Sequence, residues 1–153
     1  MRALLAIFPL LAVPVIIYNL MSLGVSADAE YFSADGNSVA PLLAQLDNVI
    51  ASIDMIGGIV WEVTAGDFLI VLSIGFLFLE ILKSTSTGTA TIINHAVSMM
   101  LFIVCLVEFL LFADFGTSTF FIIMVMTLLD VLAGVVVTII AARRDFAVGE
   151  GIG

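Results

Sequence analysis

Positive charge is what this sequence has least of: four Lys and Arg stand against 13 Asp and Glu in 153 residues, for a net charge of −9. Phosphate backbones need a basic surface, so nucleic acid is excluded as a partner. Cysteine and histidine are almost missing too. A lone Cys105 rules out an intrachain disulfide and any Cys-x-x-Cys motif. A lone His95 rules out His-Glu-x-x-His and a bis-histidine haem. There is no Walker sequence, no Gly-x-Ser-x-Gly elbow and no regular repeat, and Gly57-Gly58 lacks the setting of a phosphate loop. A chain so short of chemical equipment is expected not to be an enzyme.

What it has in quantity is apolar length. Hydrophobic residues make up 63%, charged residues 11%, and mean hydropathy is +1.32. Soluble domains are about half apolar and about a quarter charged, so the expected solvent is a lipid bilayer. Each crossing takes about 20 residues, and four runs qualify, at 3–23, 65–84, 90–113 and 118–142. The expectation is an all-α membrane protein, a single domain over 1–153 with four transmembrane helices in an up-down bundle. The first run could pass for a signal peptide, with Arg2 before it and Ala27-Asp28-Ala29 after it. Its 21 residues are long for that and suit an uncleaved span. The second run is short unless its helix starts early. Thr64-Ala65-Gly66-Asp67 has the Ser/Thr-x-x-acid signature of a helix start, which predicts a helix from Ala65 to Ser84. Near its far end Glu80 and Lys83, three apart, read as a surface pair with Lys83 reaching the headgroups.

Arg2, Lys83, Arg143 and Arg144 all fall at the same side of such a bundle, which predicts cytoplasmic N- and C-termini. The segment 24–64 would then lie outside, and it carries acids but no Lys or Arg. Within it Pro41 could open a helix over 41–56, with Leu42, Leu46, Val49, Ile53 and Ile56 at helical spacing and Gly57-Gly58 to end it. That amphipathic helix would lie on the outer surface. Its polar side has no cation for anionic lipid, so the stripe is read as a contact for the bundle or a partner protein.

Polar residues inside the runs are the candidate site. Helix four places Thr127, Asp130, Gly134 and Thr138 on one stripe, with Asp130 near the bilayer centre, and helix three answers with Asn94, Ser98, Cys105 and Glu108. An intramembrane carboxylate must face inward, as a proton or cation site or as a hydrogen-bonded structural acid. With no intramembrane cation to pair with, the structural reading is preferred. Glu108 lies nearer the outer edge. His95, near the inner end of helix three, could ligate a haem or a chlorophyll-type pigment, or serve as an interfacial histidine near Asn94 or Glu80.

The strings Phe78-Leu79-Glu80-Ile81-Leu82-Lys83-Ser84-Thr85, Asp130-Val131-Leu132-Ala133-Gly134 and Ala141-Ala142-Arg143-Arg144-Asp145-Phe146 resemble those of small uncharacterised four-span inner-membrane proteins of proteobacteria. The resemblance implies a bacterial inner membrane and carries no activity. The expected function is a non-enzymatic accessory or scaffold subunit of a larger membrane complex, possible roles including an energy-transducing one. Its partners would be the lipid bilayer and other membrane subunits, or further copies of itself. The alternatives are an oligomeric proton or cation pathway using Asp130 and Glu108, and a pigment- or haem-binding subunit through His95.

Overall fold

The computed structural model describes residues 8–25, 31–32, 38–39, 41–84 and 89–149. Its elements in order are α1 (Ala12–Leu23), β1 (Tyr31–Phe32), β2 (Ser38–Val39), α2 (Pro41–Leu46), β3 (Val49–Asp54), β4 (Val60–Thr64), α3 (Ala65–Ser84), α4 (Thr89–Leu111), a 3-10 turn (Ala113–Phe115) and α5 (Ser118–Gly149). Three helical stretches are long and apolar enough to cross a membrane: Ala65–Lys83, Ile92–Leu111 and Ser118–Ile140. The chain is therefore a membrane protein. Phe68, Val71, Phe78, Met100, Leu132 and Val136 point away from the bundle, as lipid-facing side chains do.

Four spans were expected; among the described residues three are found, and the first run contributes a shorter apolar helix. Its helix, α1, has 12 residues, about 18 Å at the helical rise and short of the hydrocarbon thickness. Pro9 precedes the helix, and Pro14 sits in the first turn, where its missing N–H had no intrahelical partner. Arg2 and the first five residues of the expected span, 3–7, lie outside the described residues.

The helix start at Ala65 falls where the sequence places it. Thr64 N–H donates to Asp67 Oδ2 at 3.0 Å, and Asp67 N–H to Thr64 Oγ1 at 3.1 Å, a reciprocal capping box. Short links then make α3, α4 and α5 antiparallel neighbours, with α5 packed on both others. Where α1, α2, α3 and α5 converge, Tyr18, Leu42, Leu46, Leu69, Phe115, Phe120 and Ile123 form the apolar core.

The expected surface helix over 41–56 is corrected. Helix α2 stops at Leu46, and Val49–Asp54 is a strand paired antiparallel with Val60–Thr64. Between them Gly58 N–H donates to the Met55 carbonyl and Met55 N–H to the Ile59 carbonyl, both at 2.9 Å, and Gly58 has φ +77°. A three-residue loop with a left-handed residue at its end is a favoured hairpin connection, and glycine takes that conformation without a Cβ clash. The proposed stripe is therefore divided. Leu42 and Leu46 are buried in the core, whereas Val49, Ile53 and Ile56 are exposed on the hairpin.

Cross-strand partners share a face, so the register sorts the hairpin's side chains. Ala51 pairs with Val63 and Ile53 with Trp61, and Met55 meets Ile59 at the turn. Ser52 pairs with Glu62 and Asp54 with Val60 on the other side. One face is wholly apolar and the other is mainly polar. A bulge at Ile50 shifts the register near the base, and Ala65 N–H closes the base on the Asn48 carbonyl at 2.9 Å.

Candidate functional site

Polar side chains inside the bundle gather in its half nearer Lys83. Glu80, on α3, is fully buried and lies 2.8 Å from Lys83 Nζ, so the expected surface pair is instead an internal one. Asn94 Nδ2 donates to Glu80 Oε1 at 2.6 Å, and Lys83 donates to Asn94 Oδ1 at 2.9 Å. Both also hold the start of the chain. Leu10 N–H donates to Glu80 Oε2 at 2.8 Å and Lys83 to the Phe8 carbonyl at 2.8 Å. A carboxylate at the entrance to α1 satisfies one of the N–H groups a helix start leaves open and suits the positive end of its dipole. No local pattern signals this last role, because the partners are 70 or more residues apart.

Next along the interior come His95, Ser98 and Asp130. Asp130 and Gly134 are one turn apart on α5, and His95 and Ser98 three apart on α4, so each pair occupies one face of its helix. The faces meet. A Cβ placed on Gly134 would overlap the His95 imidazole, so the glycine is what lets the ring lie against α5. Asp130 lies within electrostatic reach of His95, Ser98, Glu80 and Lys83. Asp130 and Ser98 are each 1% exposed. Yet Asp130 Oδ1, Ser98 Oγ and both ring nitrogens of His95 are buried without a hydrogen-bond partner. Ser98 approaches Asp130 without reaching hydrogen-bond geometry.

Other polar residues of the seam are satisfied locally. Thr127 donates to the Met124 carbonyl at 2.7 Å, Ser73 to the Leu69 carbonyl at 2.7 Å and Thr138 to the Gly134 carbonyl at 2.9 Å. Such bonds to a helix's own carbonyls let a hydroxyl stay buried. Cys105 is buried in the core. Glu108 does not join Asp130. It accepts from Asn19 Nδ2 at 3.4 Å, beside an open cavity of about 330 Å³ shared with Ser22, Asp114 and Phe115.

The opposite half is closed by aromatic packing. Tyr18 shares a 2.6 Å hydrogen bond with Thr117 Oγ1 and donates to the Asp114 carbonyl at 3.0 Å. Its ring centroid lies 4.7 Å from Phe120, which meets Phe115 edge-on at 4.8 Å. Among the described residues no group of three or more His, Cys, Asp and Glu is placed to hold a metal ion. No protein-family model matches the sequence, and no curated protein or solved structure is significantly similar to it.

Proposed function

We propose that the chain is a non-enzymatic accessory or scaffold subunit of a larger complex in a bacterial inner membrane, with both termini cytoplasmic and the hairpin outside. The reading rests on the hairpin's apolar face, where Ile53, Met55, Ile59 and Trp61 are each about half exposed or more. A face with a central Trp and aliphatic neighbours has the composition of an interface core. Lipid is a poor occupant, because a two-stranded hairpin has two unpaired edges whose N–H and C=O groups find no partner in hydrocarbon. The acids Asp54 and Glu62 lie on the hairpin's opposite face. The occupant is therefore the extracytoplasmic part of another membrane subunit that presents an apolar surface of its own. Orientation follows from Lys83, which lies at the end of the bundle that binds Phe8 and Leu10.

A photo-crosslinker at Ile53 should capture one defined protein in intact cells, whereas the same group at Ser52, on the opposite face, should not. Trp61→Asp should reduce recovery of that protein in mild detergent at least about tenfold, roughly the loss of one interface hot spot, while the chain stays inserted. Equal crosslinking from both faces, or adducts with lipid alone, would remove the hairpin from any protein interface.

A further inference from the structure

We infer that His95, Ser98 and Asp130 form an internal proton-binding site, in which a water molecule bridges the imidazole, the hydroxyl and the carboxyl group. Four polar atoms from three side chains are buried at one place with no protein partner. Buried polar groups are almost always paired, and an unpaired one costs about 1–3 kcal/mol. The hydroxyl, the carboxylate oxygen and one ring nitrogen can share a common partner, while the second ring nitrogen points away on the other side of the ring. Water fits, because it donates and accepts at once, and the groups present include both donors and acceptors.

The chemistry of the group then selects the proton as its ligand. A carboxyl and an imidazole are the two side chains that exchange a proton most readily near neutral pH once they are coupled. Among the described residues, Glu80 and Lys83 on α3 and His95 on α4 face Asp130 on α5. Glu80 and Lys83 already neutralise each other at 2.8 Å, which leaves the His95–Asp130 pair to hold or release a proton. A metal cation is a weaker fit, since two protein oxygens and an imidazole that can be cationic offer an incomplete ligand shell.

Because His95 is the chain's single histidine, imidazole nitrogen-15 signals from labelled protein in nanodiscs report this ring alone. The Asp130 carbonyl stretch, identified by its loss in Asp130→Asn, reports the other partner in the infrared. In the wild type both signals should change at the same pH midpoints. Replacing Asp130 by Asn should change the midpoint of the imidazole signals, because it removes the partner with which the ring shares the proton. If Asp130→Asn fails to fold, His95→Gln reads the same coupling from the carboxyl, whose midpoint should rise. Signals that titrate independently, or neither titrating between about pH 4 and pH 9, where free carboxyl and imidazole groups ionise, would overturn the proposal. So would a midpoint that moves with sodium concentration at constant ionic strength, which would assign the site to a cation.

Discussion

The two halves of the bundle solve the burial problem in opposite ways. Toward the hairpin, Tyr18, Phe115 and Phe120 stack into an apolar plug whose one buried phenol finds two partners, Thr117 and the Asp114 carbonyl. Toward Lys83, charged and polar side chains enter the interior, some fully bonded, as at Glu80 and Asn94, and some not, as at Asp130 and Ser98. Packing is thus concentrated in one half and chemistry in the other. A carboxylate at membrane depth is costly, so a chain that needed only to be stable would have repeated the first solution in both halves.

Breaking the Glu80–Lys83–Asn94 group should have the largest effect. Lys83→Met leaves Glu80 buried without its counter-charge, and removing one partner of a buried pair costs about 3–5 kcal/mol. The double change of Glu80 and Lys83 to Met should recover much of that, because an apolar replacement of both leaves no orphan charge. Thermal unfolding in one detergent measures both, and equal losses in the single and double variants would show that the pair itself is not what stabilises this half.

Gly134→Ala should come next. Its methyl group would overlap the His95 ring, forcing α4 and α5 apart or the imidazole out, at about 1–3 kcal/mol for an overpacked contact. The same unfolding measurement applies, and the His95 nitrogen signals should move with it. No change in either would mean that the two helices have room to spare. The smallest effect belongs to the plug: Tyr18→Phe keeps the ring stack and loses the phenol's hydrogen bonds to Thr117 and the Asp114 carbonyl, about 0.6 kcal/mol each in a membrane protein. A loss as large as that of Lys83→Met would mean that the aromatic half also depends on its polar groups.

How much of this was legible in the sequence follows from how local each signal is. The start of α3 needs only four consecutive residues, Thr64 to Asp67, and it was placed correctly. The stripe of Thr127, Asp130, Gly134 and Thr138 obeys helical spacing within one element, and its first three residues are buried on α5 while Thr138 is exposed. The hairpin was misread because Leu42, Leu46, Val49, Ile53 and Ile56 satisfy helical spacing by coincidence. Ala51, Ser52, Ile53, Asp54 and Met55 alternate with the period of a strand, and Gly57-Gly58 lies between two runs rich in β-branched residues, which is a hairpin signal. Glu80 was read as a surface residue because its neighbour Lys83 suggested nothing more. Its other partners, Asn94 and Leu10, come from different helices, and no local pattern reveals them.

The ties between the beginning of the chain and the later helices also set an order of assembly. Leu10 and Phe8 are anchored by residues 70 and 75 positions further on, and Tyr18 by Thr117, 99 positions on. Synthesis runs from the N-terminus, so the first helix leaves the ribosome well before anything that will hold it exists. Until α3 emerges, the entrance of α1 has no carboxylate to cap it; until α5 follows, Tyr18 has no hydroxyl to meet. Among the described helices the first to emerge is the last to be locked in place, and the interval is a window in which it is open to insertion factors and to proteases.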